Sequence, residues 1–203
     1  MNILLIHGLG RTPLSMWGMA KALREAGHTP SFFAYTSLLQ SFDRIVKELR
    51  DRLQQLSTDG PYGIVSHSLG GVLTRAALAN ADFSIPAHVV MLAPPNQPPR
   101  AGQLVSKLLL FRWFSGQSGQ NLASQEFYQQ LPVLSCPYTL IAGTLGIRGP
   151  LSMFGEAIND FIVSIDEVKM QPQDVPLQVP ALHSFIMNDS RAQALTVRAF
   201  SAQ

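Results

Sequence analysis

Cysteine is almost absent from this 203-residue chain. Its single thiol, Cys136, excludes an internal disulfide and any cysteine-based metal cluster. It reads as a buried, inert thiol. The five histidines, at positions 7, 28, 67, 88 and 183, show no metal-ligand spacing, so no metal is expected. No stretch reaches the roughly eighteen consecutive apolar residues that a membrane-spanning helix requires. Charge is scarce, with only 14% charged residues and a formal net charge of +2. The basic residues are scattered, and no run of them marks a nucleic-acid groove. Repeats and linkers are also missing, and this length suits one domain over residues 1–203. The first residues carry neither a basic region nor a cleavage site, so the expected address is cytoplasmic.

Hydrophobic residues make up 46% of the chain, and they alternate between strand and helix patterns. Met1–Ile6 is an apolar run of strand length. Pro13 to Ala26 carries Met16, Met19, Ala20, Leu23 and Ala26 at helical spacing, and Gly27 ends it. Thr29 to Tyr35 reads as a strand. Phe42 to Leu56 is the clearest amphipathic helix, with Phe42, Ile45, Val46, Leu49, Leu53 and Leu56 on one face. Tyr62–Val65, Ala87–Leu92 and Tyr138–Gly143 are further strands, and Leu69–Ala79 is a helix. Ser164–Met170 fits a short helix, Asp174–Val179 a last strand despite Pro176, and Arg191–Phe200 a closing helix. This alternation predicts an α/β fold built on a mostly parallel sheet.

One segment interrupts the pattern. After the proline-rich exit Ala93–Arg100, residues 104–114 hold Leu104, Val105, Leu108, Leu109, Leu110, Phe111, Trp113 and Phe114. Leu109, Phe111 and Trp113 cannot share one helical face. The expectation is a lid-like insertion at about 100–122, with Leu108, Phe111 and Trp113 binding an apolar part of a substrate. The alternative is that these residues complete the core beneath it.

The most informative stretch is Val65-Ser66-His67-Ser68-Leu69-Gly70-Gly71, between a buried strand and a helix. A nucleophilic serine set on a strand-to-helix turn needs small residues two before and two after it, because the backbone there is tight and strained. Ser66 and Gly70 meet that need, although glycine is usual at both places. Ser68 is therefore the candidate nucleophile. Independently, the first strand runs into His7-Gly8-Leu9-Gly10-Arg11-Thr12. Acyl transfer needs amides aimed at the oxygen that becomes negative. The amides of Leu9 and Leu69 are the candidates, and glycines at 8 and 10 would let the loop take positive φ close to a substrate. His7 is expected to fix this loop by hydrogen bonding.

A serine needs a base, and the base an orienting acid. Downstream of Ser68 there are two histidines. His88 opens a buried strand, at the wrong edge of the sheet, whereas His183 follows the last strand. For the acid, Asp160, Asp166 and Asp174 compete, with Asp160 favoured because it lies in a loop after a strand.

With His7–Thr12, Ser66–Gly71, Asn159-Asp160-Phe161-Ile162-Val163 and His183-Ser184, nearly the whole chain resembles the small lipase-type α/β-hydrolases. The likeness is to the bacterial lipase class 2 and GPI inositol-deacylase-like branch. Members often read Asp-Gly-x-Val at the acid, and Phe161 departs from that glycine. The resemblance implies a minimal sheet of about six strands, since the chain begins with what would be the third strand of the full fold. It also implies hydrolysis of acyl esters by Ser68, Asp160 and His183 without metal or organic cofactor. The expected partner is a small acyl ester or lipid, with no nucleic acid and no membrane span. Contact at a membrane surface is compatible with this, and a monomer is expected. Two rivals are an acyltransferase or thioesterase with the same three residues, and a non-catalytic hydrolase-fold binding protein.

Overall fold

Strands covered by helices on both faces must be apolar on both faces, and the middle of this sheet obeys that rule. The computed structural model describes residues 1–37, 39–97 and 125–201, without the side chains of residues 125 and 126. Six strands form one sheet: β1 (Asn2–Ile6), β2 (Thr29–Phe33), β3 (Tyr62–His67), β4 (His88–Leu92), β5 (Tyr138–Gly143) and β6 (Leu177–Val179). Their order is β2-β1-β3-β4-β5-β6, and every neighbouring pair is parallel. All residues of the two central strands β3 and β4 are buried.

The helices are α1 (Trp17–Glu25), α2 (Phe42–Thr58), α3 (Leu69–Leu78), α4 (Gln125–Gln130), α5 (Ile165–Val168) and α6 (Ser190–Ser201). Helix α2 starts where Ser41 accepts the Arg44 amide. It buries Phe42, Ile45, Leu49, Leu53 and Leu56. Its outer face carries the i,i+4 pairs Arg44–Glu48 and Lys47–Asp51. Helices α3 and α6 cover opposite faces of β3, because successive side chains of a strand point to opposite sides. Gly63 faces α6, where a Cβ would collide with the Phe200 ring, while Ser66 faces Gly71 of α3.

The sheet is the expected one, with all strands parallel. Several boundaries moved for identifiable reasons. The expected helix from Pro13 begins as a 3-10 turn, Pro13–Met16, and becomes α-helical at Trp17. The second strand ends at Phe33, and Tyr35 turns away to give its hydroxyl to the His7 oxygen. The last strand is only Leu177–Val179. Asp174 does not open it, because its carboxylate accepts the Met170 and Gln171 amides and the Tyr138 hydroxyl, and Pro176 has no N–H to donate. The insertion at about 100–122, with Leu108, Phe111 and Trp113, lies outside the described residues. Cys136 is buried, and burial pushes its thiol pKa up. Among the described residues no helix is long and apolar enough to cross a membrane.

Candidate active site

Ser68 lies between the last residue of β3 and the first of α3, with φ 51° and ψ −120°. An L-residue pays about 1–3 kcal/mol to stay in such a region, so the surroundings must hold it. They do so through two backbone bonds: the Ser68 amide donates to Leu92 O at 2.9 Å, and the Gly71 amide donates to Ser68 O at 2.8 Å. The side chain is half-buried and faces the carboxyl edge of the sheet, where the loops after β1, β5 and β6 gather.

His183 arrives from the loop after β6. Its Nε2 lies 2.9 Å from Ser68 Oγ, and its Nδ1 lies 2.8 Å from Asp160 Oδ2. A carboxylate only accepts, so Nδ1 carries the proton and Nε2 is free to accept the serine hydroxyl. Asp160 is buried, and its other oxygen accepts the Ile162 and Val163 amides at 3.0 and 2.8 Å. The preceding Asn159 accepts the Phe161 amide and donates to Ile147 O and Ala157 O. Two consecutive short polar side chains thus bend the chain around the carboxylate. The other two candidate acids lie elsewhere: Asp166 pairs with Lys169 on the surface, and Asp174 with Tyr138. His88 opens β4 with its Nε2 on Thr139 Oγ1 at 2.9 Å.

Phe161 has φ 80°, in the left-handed region that favours glycine. The backbone at this turn is one that glycine would take without strain, and the ring is 45% exposed.

The loop after β1 presses on the turn that carries Ser68. Gly8 does not take positive φ as expected; among the two glycines only Gly10 does, at 63°. Gly8 is needed for a different reason. A Cβ there would lie 2.7 Å from His67 Nδ1 and 3.2 Å from Ser68 Cβ. Leu9 is thus one residue from a backbone that leaves no room for a side chain between it and Ser68. Leu69 is the first residue of α3, so its amide has no acceptor within the helix. His7 Nδ1 lies 2.9 Å from Gly8 O, and its ring stacks on Tyr35 at 4.2 Å. Burial lowers the His7 pKa, against opposing hydrogen bonds to the Gly8 and Tyr35 backbone.

Two residues with no assigned role in the sequence reading also reach this site. His67 Nε2 lies 3.0 Å from His183 O, and Arg11 Nη2 donates to Ser184 O at 2.7 Å. The two carbonyls of the His183-Ser184 pair are each held by a side chain from another loop. The amide of His183 is held as well, donating to Asp160 O at 3.1 Å. Burial holds the His67 pKa well below the ordinary histidine range, with a smaller contribution from His183. The position of His67 beside the serine was a signal in the sequence; its partner 116 residues away was not.

A model of the alpha/beta hydrolase family matches residues 3–184. No curated protein matches the sequence. Among solved structures, a Listeria innocua gene product has a TM-score of 0.61 at 16% identity, over 100% of this chain and 94% of that one. An extracellular alpha/beta-hydrolase from a Paenibacillus species has a TM-score of 0.60 at 18% identity, over 98% of both chains. Tomato methylketone synthase I, complexed with 2-tridecanone, has a TM-score of 0.64 at 14% identity, over 99% of this chain and 97% of that one. At such identities the likeness is one of fold.

Proposed function

This chain belongs to the alpha/beta hydrolase family, and from that premise we propose that it cleaves carboxylic acyl esters through an acyl-enzyme on Ser68. One observation carries the proposal. An unbroken chain of hydrogen bonds runs from Ser68 Oγ through His183 to the buried Asp160, beneath a serine whose backbone is strained.

The steps follow from that order. His183 Nε2 removes the Ser68 proton as Oγ attacks the ester carbonyl. Asp160 holds the Nδ1 proton, which keeps the imidazole in the accepting tautomer and stabilises the imidazolium. The amides of Leu9 and Leu69 bind the oxygen that becomes negative. His183 then gives its proton to the departing alcohol, and a water activated by the same nitrogen releases the acid. Leu108, Phe111 and Trp113 are proposed to line the acyl side. Each methylene buried there would contribute about 0.8 kcal/mol, which favours apolar acyl chains.

The experiment combines labelling and turnover. A fluorophosphonate should label the wild type and leave Ser68→Ala unlabelled. Turnover of an activated ester should fall by several orders of magnitude in that variant. Labelling that persists after the substitution would remove Ser68 from the mechanism. Faster acyl release when an alcohol or amine acceptor is added would make the enzyme a transferase.

A further inference from the structure

Arg11 is a charged residue at the candidate site that the ester chemistry does not use. It closes the loop whose Gly8 lies against Ser68, its amide donating to Gly8 O at 3.3 Å. Its guanidinium reaches across to the other loop beside Ser68. There Nη2 donates to Ser184 O at 2.7 Å, and the guanidinium carbon stands 6.0 Å from the Phe185 ring centroid. One corner of the guanidinium is thereby held on the loop that carries His183. Its Nε and Nη1 make no hydrogen bond to any described residue, and no carboxylate among the described residues pairs with it. Asp160 does not serve as its counter-charge. That carboxylate is buried and already accepts from His183, Ile162 and Val163.

Nη2 has two hydrogens and spends one on Ser184 O, so the other, paired with Nε or with Nη1, can still meet an oxyanion group in forked geometry. We propose that Arg11 binds a carboxylate or phosphate carried by the alcohol half of the substrate, so that the enzyme selects acyl esters of anionic alcohols. This rests on the ester reading above, and the side follows from it. His183 hands its proton to the departing alcohol, so the alcohol lies beside His183. Arg11 is bonded to the main-chain oxygen of the very next residue, and we assign it to that side on this ground. Phe185, 59% exposed, offers an apolar surface for the stem that carries the anion.

The test uses the full chain and three hexanoyl esters: of 1-propanol, of 3-hydroxypropanoate and of 3-hydroxypropyl phosphate. The wild type is expected to favour at least one anionic ester over the neutral one by roughly ten- to hundredfold in kcat/KM, the scale of a charge-assisted hydrogen bond. Which anionic ester wins separates a carboxylate substrate from a phosphate one. In Arg11→Gln the anionic-to-neutral ratio should drop by about tenfold or more, and Arg11→Lys should keep part of it. Each ratio is taken on one protein, so a general loss of activity cancels. Should either variant fail to fold, a salt series on the wild type reads the same charge, and the ratio should shrink as ionic strength rises. A wild-type ratio near one, or a preference that survives Arg11→Gln, overturns the proposal and leaves the ester reading standing. A wild type that cleaves none of the esters and is not labelled at Ser68 overturns both.

Discussion

His67 donates from Nε2 to the main-chain oxygen of His183 at 3.0 Å. The residue before Ser68 thus grips the residue whose ring faces that serine. A carbonyl can only accept, so Nε2 carries the proton, and burial, which lowers the pKa, favours the neutral ring. Its Nδ1 has no partner among the described residues, which matches a buried ring that is kept uncharged.

That neutrality makes stability depend on pH. The folded pKa of His67 lies below its ordinary value of 6.5 because burial penalises the charged ring. As pH falls below about 6.5, the unfolded chain takes up a proton that the folded chain refuses. Stability is therefore fully present above that pH and drops below it, by about 1.4 kcal/mol per pH unit for one such group. Denaturant midpoints at pH 7.5 and 5.0 should show the loss, and His67→Gln should reduce it, leaving the share of His7, His28 and His88, whose pKa values burial also lowers. An unchanged pH dependence in His67→Gln would assign the loss to other groups.

Asp160→Asn should lower kcat by roughly three to four orders of magnitude, because an amide facing Nδ1 selects the wrong imidazole tautomer. The fold should survive, since an amide oxygen can still accept the Ile162 and Val163 amides. The same change at Asp166, which pairs with Lys169 on the surface, should alter kcat only a few-fold. Steady-state kinetics on both variants decide it, and a comparable loss at Asp166 contradicts the assignment.

Phe161→Gly should stabilise the protein. The left-handed backbone at φ 80° costs an L-residue about 1–2 kcal/mol, and the half-exposed ring gives up little burial. Glycine loses part of that gain to its greater freedom when unfolded, so a net gain of roughly 1 kcal/mol is expected. Thermal unfolding would register it as a higher Tm; a lower Tm would mean that the ring packs usefully.

Arg75 is 2% exposed and bonds to the main-chain oxygens of Asn96, Leu131 and Pro132 and to the Asn96 side chain. Burial brings its pKa down to about 10. The guanidinium joins α3 to the chain just after β4 and just before β5. Arg75→Met should destabilise by about 2–4 kcal/mol, because buried carbonyls lose their donors. Urea unfolding with an unchanged m-value is the measurement. Arg75→Lys should recover only part, since one ammonium cannot span those acceptors.

Much of the architecture was already written into local pattern. Apolar runs of strand length and the helical stripe of Phe42, Ile45, Leu49 and Leu53 specify elements because burial rewards periods of 2 and 3.6 directly. The small residues around Ser68 specify a tight turn for an equally local steric reason. In the sequence, three aspartates were eligible partners for His183. Which of them reaches Nδ1 depends on how the loop after β5 folds back on Asn159 and on where β6 delivers the histidine. Neither is encoded in the neighbours of the aspartate. The same holds for the glycine-like backbone of Phe161, the shortening of β6 once Asp174 found amide partners, and the reach of Arg11 to Ser184. Local pattern specifies which elements form and which residue types are available. Which side chains meet is a matter of the assembled fold, because hydrogen bonds between loops are set by the packing of the sheet that carries them.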